Sequence, residues 1–213
     1  MNVYRMTHIS NIAQILKCGI THRKSPLASK NYTAIGDVSL ISTRNNKAVS
    51  VDNGDLFDEN AQEIVLGDFI PFYFGVRMPM LLVIQNGGNF VTKKTHPSKI
   101  VYMAVSLEKI KESDCEFYFS DGHATDNLTT FYDSNHIGKI DEILSWRAIK
   151  AKYWGGSDNL NTKRKKQAEL LLRDDIPPSF IDKFGCYNKA AKQKLINLGI
   201  HSGIIKVIPQ CYY

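Results

Sequence analysis

Gln167 and Glu169 stand two positions apart in the segment Gln167-Ala168-Glu169-Leu170-Leu171-Leu172. Side chains alternate along a strand, so a strand here would put both polar groups on one face and Ala168, Leu170 and Leu172 on the other. An amide that donates and accepts, beside a carboxylate that binds a ribose hydroxyl or takes a proton, can engage one small polar ligand. The same triplet also suits the solvated face of an ordinary strand, so its meaning depends on what accompanies it.

Three further features accompany it. The segment Phe69-Ile70-Pro71-Phe72-Tyr73-Phe74-Gly75-Val76-Arg77-Met78-Pro79-Met80-Leu81 reads as an aromatic strand leaving through Gly75, Arg77 and Pro79. A purely structural strand has no need of an arginine at that exit. The run Lys163, Arg164, Lys165, Lys166 enters the Gln167–Glu169 segment directly, after Tyr153-Trp154 and Gly155-Gly156-Ser157. Charge runs are usually solvated surface, and this one bears on function only through its place beside Gln167 and Glu169. Tyr153 and Trp154 could stack on unpaired bases, a contact worth about 1–3 kcal/mol per base, or anchor a hydrophobic lid. His8, next to Thr7, and His123, in Ser120-Asp121-Gly122-His123, complete the candidates; an isolated histidine is usually structural.

These residues need a scaffold. Val3 to Met6 alternates as a strand, Ile9 to Leu16 has helical spacing stopped by Gly19, and residues 20–36 read as an ordered surface loop. A short helix is predicted from Asp37 to Asn45, capped by Asp37 with Val38 and Ile41 inward, followed by an exposed acidic stretch from Asp52 to Glu59. Strands are predicted at Phe69–Phe74, Val101–Ser106, Glu116–Ser120, Lys166–Leu172 and Gly203–Ile208. Helices are predicted at Leu144–Tyr153, Ile181–Phe184 and Ala190–Leu198, the last ended by Gly199, while Pro79–Gln85 fits either helix or strand. Strands and helices mix without a βαβ rhythm, which favours an α+β fold. Neither GxGxxG nor GxxxxGK[ST] occurs, so a dinucleotide would be held by other means.

With 213 residues, 43% hydrophobic and 23% charged, the chain suits one domain spanning residues 1–213 with a core of its own. No apolar run approaches a bilayer span and the start lacks a signal-peptide core, so a cytoplasmic protein is expected. Cys18, Cys115, Cys186 and Cys211 form no CxxC pair, which predicts reduced thiols and no metal. A net charge of +6 is compatible with nucleic acid as a partner without requiring it.

The Gln-x-Glu spacing resembles the signature of ADP-ribosyltransferases, and the segment from Phe69 to Leu81 is similar to one carried by the DarT family of DNA-modifying toxins. The resemblance continues through Tyr4 to Ile9, Arg44-Asn45, Phe117 to His123, Tyr153-Trp154, Lys165 to Leu170 and Tyr212-Tyr213. It implies an ADP-ribosyltransferase fold, two facing, mainly antiparallel sheets with helices around an NAD-binding cleft. It implies NAD+ as co-substrate, single-stranded DNA as acceptor, thymidine more readily than guanosine, and a DarG-type macrodomain antitoxin as partner. Carried over residue by residue, Glu169 is the catalytic carboxylate and Arg44, in preference to Lys47, the catalytic arginine. Thr7, His8, Tyr73, Arg77 and Gln167 are expected at NAD+, and Tyr153, Trp154, Lys163, Arg164, Lys165, Lys166 and His123 at DNA. Competing readings are a transferase acting on RNA or protein, and a nucleic-acid-binding module without catalysis.

Overall fold

In a computed structural model, which describes residues 1–52, 62–88, 90–91 and 93–213, the chain opens with β1 (Asn2–His8), α1 (Ile12–Cys18), α2 (Val38–Asn46), β2 (Ala48–Asp52) and β3 (Glu63–Val65). It continues through β4 (Ile70–Tyr73), α3 (Pro79–Asn86), β5 (Ile100–Ser106), α4 (Leu107–Lys111), β6 (Phe117–Ser120) and β7 (Phe131–Asp133). The rest is α5 (Ile140–Ile143), α6 (Trp146–Lys150), α7 (Leu160–Lys166), β8 (Glu169–Leu172), β9 (Ile181–Cys186), α8 (Lys189–Asn197) and β10 (Ile205–Val207). The acidic stretch expected from Asp52 to Glu59 lies, beyond Asp52, outside the described residues.

The strands follow the order β10-β9-β5-β1-β4-β8-β6-β7-β2-β3, mostly antiparallel. The array divides in the middle. β1 pairs with β5 along its whole length, from Asn2↔Ser106 to His8↔Ile100, but meets β4 at the single pair Tyr4↔Tyr73. β4 then pairs fully with β8, from Ile70↔Leu172 to Tyr73↔Glu169. Two half-sheets therefore join at one register pair, and Arg5 and Met6 of β1 with Pro71 and Tyr73 of β4 line a cleft there. Tyr73 touches both halves: it is in register with Tyr4 on one side and with Glu169 on the other.

Local chemistry explains the elements that matter for the site. Ile100 to Val105 is a near-continuous apolar run, buried throughout, as a strand covered on both faces requires. The side chain of Asp37 caps α2 by accepting from the Ser39 and Leu40 amides at 2.8 and 3.2 Å, and Arg44 falls in the last turn, where a cation complements the helix dipole. Gly19 ends α1 with φ of 83°, and a Cβ there would lie 2.1 Å from the Ile176 carbonyl oxygen, so only glycine fits. Leu170 and Leu172 pack with Phe72 and Phe119 in the main core, while Leu171 joins Phe69 and Tyr118 in a second cluster.

Several expectations are corrected. The segment predicted as a strand from Lys166 is the end of α7, and the strand begins only at Glu169. Ile181–Phe184 belongs to β9, held between β5 and β10, because its backbone groups pair with both neighbours. The helix expected over Leu144–Tyr153 is confined to Trp146–Lys150. Val38 and Ile41 are 48% and 43% exposed rather than inward, since α2 covers a cleft and not a core.

Candidate active site

Glu169 opens β8 with no solvent exposure. Its carboxylate is held at both ends: Oε2 accepts from Arg44 Nη1 at 2.8 Å and Oε1 accepts from the Ala124 amide at 3.2 Å. Its own amide donates to Ser120 Oγ at 3.2 Å. A charge removed from water must be paired and hydrogen-bonded, and α2, β6 and the turn after β6 supply those partners together. Arg44 Nη2, also buried, has no hydrogen-bond partner. Lys47, the other basic candidate, instead donates to the Thr125 carbonyl and to Asn127 Oδ1 at 2.6 and 2.9 Å.

The turn that delivers the Ala124 amide is clamped from behind. Arg164 forks onto Asp121 with 2.7 and 3.0 Å bonds, donates to Thr129 Oγ1 at 3.2 Å, and accepts the His123 amide on its carbonyl at 3.0 Å. Gly122 permits the approach, because a Cβ there would fall 2.6 Å from the Arg164 guanidinium. Behind α2, Gly67 plays the same part: its Cβ would lie 2.6 Å from the Asn45 carbonyl oxygen.

In front of this pair lies a cleft of about 180 Å3 that opens to solvent, lined by Tyr73, Arg44, His123, Arg5, Tyr32 and the inner edge of α2. Burial, reinforced by the Glu169 charge, pushes the Tyr73 phenol upward, so it stays protonated. Burial also lowers the His123 imidazole, against the pull of Glu169; His123 Nδ1 is engaged with Thr125 Oγ1 at 2.9 Å. The orphaned Arg44 Nη2 beside an aromatic wall matches what an anionic, ring-bearing substrate such as NAD+ demands.

Thr7 and His8 stand at the far end of β1. Thr7 is buried, with Oγ1 shared between Tyr32 Oη at 3.2 Å and Asn11 Nδ2 at 3.0 Å. Asn11 in turn grips the Thr33 backbone through both its polar atoms. His8 bonds Ser10 and lines an adjoining polar pocket with Lys93, Lys94 and Lys99; burial and the charges of Lys99 and Lys93 lower its pKa. Thus β1 fastens the loop of residues 20–36 over the cleft.

Other candidates are not where the sequence suggested. Gln167 does not share a strand face with Glu169: it terminates α7, and its amide donates to the Lys163 carbonyl at 3.2 Å. Arg164 is spent on Asp121, and Lys166, 2% exposed, donates to the Ile149 and Val76 carbonyls at 2.9 and 3.4 Å. The basic run is therefore no uniform clamp: Arg164 and Lys166, two positions apart and so on different sides of α7, each turn to a different inner partner, while Lys163 stays exposed. Arg77 lies outside the Glu169 cleft, in a separate cavity at the exit of β4. Tyr153 is 89% exposed, and Trp154 donates Nε1 to Tyr213 Oη at 2.8 Å with Lys163 Nζ over its ring at 5.8 Å. Lys165 lines an open polar groove with Tyr153, Arg147 and Lys152. The sequence reading passed over Asp121, Asn11, Tyr32 and the Ala124 amide; a backbone donor leaves no signature in residue type, whereas the Asp121–Gly122 turn could have been read as a tight approach.

Among the described residues, no group of three or more His, Cys, Asp or Glu is placed to hold a metal ion, and no helix is long and apolar enough to cross a membrane.

Comparison with known proteins gives a consistent result. A family model described as "ssDNA thymidine ADP-ribosyltransferase, DarT" matches residues 4–213. A DNA ADP-ribosyl transferase of Escherichia coli O127:H6 is 29% identical over 194 residues, 91% of this chain and 83% of that protein. A DNA ADP-ribosyl transferase-DNA ADP-ribosyl glycohydrolase fusion protein of Thermosipho africanus is 29% identical over 182 residues, 84% of this chain and 40% of that protein. DarT of Thermus sp. 2.9 in complex with ADP-ribosylated ssDNA superposes with a TM-score of 0.81 at 24% identity, covering 100% of this chain and 96% of that one. The same protein in complex with NAD+ gives 0.75 at 22% identity, covering 100% and 97%.

Proposed function

This chain belongs to the DarT family of ssDNA thymidine ADP-ribosyltransferases, and from that premise we propose that Glu169 and Arg44 are the pair with which it moves ADP-ribose from NAD+ to thymidine in single-stranded DNA. The observation that carries the assignment is the wholly buried Glu169 carboxylate, gripped by Arg44 and Ala124 at the back of the cleft.

Cleavage of the bond between ribose and nicotinamide develops positive charge on the anomeric carbon, as in glycoside cleavage. Glu169 stabilises that charge and binds a ribose hydroxyl; removal of the proton from the attacking base nitrogen falls to the same carboxylate. Arg44 holds Glu169 in position through Nη1 and leaves Nη2 for the pyrophosphate. Tyr73, kept protonated, offers a hydroxyl and a ring face to the nicotinamide end. Thr7 and His8 hold the loop that covers NAD+. His123 faces the acceptor base from the cleft wall. Tyr153, Trp154, Lys163 and Lys165 form the exposed basic and aromatic surface for the strand. A single strand suits this reaction because a ring nitrogen engaged in pairing is released only at a cost of about a few kcal/mol.

Residues 1–213 act in this reading as one catalytic domain of a cytoplasmic toxin. Its restraint falls to a DarG-type macrodomain partner that removes ADP-ribose, which the fusion of the two activities in the Thermosipho africanus relative supports.

The test is to incubate the protein with NAD+ and matched single-stranded oligonucleotides, each lacking one base, and to weigh the products. An ADP-ribose adduct confined to thymidine-containing strands is expected. Adducts on strands without thymidine, or NAD+ consumption with no DNA adduct, would assign another acceptor.

A further inference from the structure

Among the described residues, three buried polar side-chain atoms lack a hydrogen-bond partner: Arg44 Nη2, Arg77 Nε and Trp146 Nε1. The first belongs to the cleft in front of Glu169. The other two belong to residues lining one different cavity, of about 610 Å3, at the exit of β4. Buried donors are almost always satisfied, so two orphans in one cavity point to acceptor atoms that the protein itself does not supply.

The cations of this cavity tell the same story. Lys166 lines it and donates hydrogen bonds to the Ile149 and Val76 carbonyls, which leaves one of its three donors uncommitted. Lys150 and Lys152 stand exposed at the mouth. No carboxylate occurs among the described residues lining the cavity, and burial together with the Arg77 charge lowers the Lys166 pKa to about 8. Four cations that repel one another without a counter-charge favour an anion. Arg77 is also set there under strain: its φ of 54° is rare for a residue with a side chain. Its amide is tied to Tyr102 Oη at 3.2 Å and its guanidinium lies 4.5 Å over the Tyr213 ring.

Position identifies the anion. Tyr4, in register with Tyr73, lines this cavity, and Gly75 in its wall is two residues beyond Tyr73, at most about 7 Å of chain. The cavity is thus the next stop along the backbone from the reaction centre, and its walls carry the aromatic rings of Trp146 and Phe74.

We propose that this cavity seats a backbone phosphate of the single-stranded acceptor, beside the nucleotide presented to Glu169, with Arg77, Lys166 and Trp146 donating to it and Lys150 and Lys152 gathering the strand at its mouth. The proposal rests on the DNA-transferase reading above.

The test is equilibrium binding of a fluorescein-labelled oligothymidylate to the full chain without NAD+, over a range of salt. Trp146→Phe keeps the ring that meets Phe74 edge-on and removes one donor; it is expected to weaken DNA binding about tenfold. Joint Lys150→Ala and Lys152→Ala substitution acts at the surface and is expected to lower the slope of log K against log salt by about 0.7 for each phosphate that the two lysines neutralise. NAD+ affinity should stay at the parent value in both. Parent-like affinity and slope in both variants would overturn the proposal. So would unchanged DNA binding in variants that lose a thermal shift given by inorganic phosphate, because the cavity would then hold a free anion. If the parent chain forms no DNA adduct, the transferase reading fails by itself, and the phosphate seat is still decided by these affinities.

Discussion

Arg44 Nη1 donates to Glu169 Oε2 over 2.8 Å, joining the last turn of α2 to the first residue of β8 across 125 positions of sequence. Glu169 is buried and the Arg44 side chain is 15% exposed, so the pair bears on stability as well as on the proposed transfer. Removing one partner of a buried pair strands the other, at about 3–5 kcal/mol. Arg44→Ala is therefore expected to destabilise the fold by that order in urea unfolding. Arg44→Lys restores a charge but not the second guanidinium nitrogen, so it should recover stability better than transfer activity.

Gly67 fixes how closely α2 sits. A methyl group there would meet the Asn45 backbone at 2.6 to 2.9 Å, and backbone cannot move aside as a side chain can. Gly67→Ala should push the end of α2 outward, lengthen the Arg44–Glu169 contact and reduce transfer, although residue 67 touches no substrate. NAD+ affinity and turnover measured together would show it; a fully active variant would contradict this placement of Arg44.

Asp121 and Arg164 hold the turn that presents the Ala124 amide to Glu169. Asp121→Ala and Arg164→Ala should each lower turnover, and the double variant should lose less than the sum of the two. The coupling expected from a double-mutant cycle on stability is about 0.5–3 kcal/mol. Additive effects would mean that the two side chains act separately.

How far the sequence revealed this arrangement depended on the signal each element carried. β1, β5 and α8 were legible because apolar periodicity and terminal glycines mark them. α7 was not: its inward positions hold Arg164 and Lys166, each satisfied by a partner remote in sequence, so the segment looks like solvated charge. β9, Ile181-Asp-Lys-Phe-Gly-Cys, has weak alternation and owes its form to pairing with β5 and β10. Glu169 and Arg44 were named through family resemblance. Their meeting, and the Ala124 amide that completes the grip, depend on long-range folding that no local pattern records.

Lys166 gives the stability a pH dependence with a definite sign. Its pKa is about 8 in the folded protein against 10.5 as a free side chain. Between those values the unfolded chain holds a proton on this side chain that the folded chain has released, so the contribution of Lys166 to stability rises with pH through this window. From pH 8 to 9.5 the gain is on the order of 2 kcal/mol. Lys166→Met should abolish the rise. Urea unfolding of parent and variant at about pH 7.5, 8.5 and 9.5 checks it: the difference between them, which removes the opposing contribution of the Cys186 and Cys211 thiols that burial pushes up, should grow with pH, and a constant difference would refute it.

The central claim, that the buried Glu169 carboxylate drives transfer, is met most directly by comparing the parent chain with Glu169→Gln for adduct formation on one thymidine-containing single strand, with NAD+ affinity measured on both. The account predicts that the variant keeps NAD+ affinity within a few-fold and loses about 10² to 10⁴ in transfer rate. Transfer by Glu169→Gln at the parent rate would contradict it and move the chemistry to another side chain in the cleft.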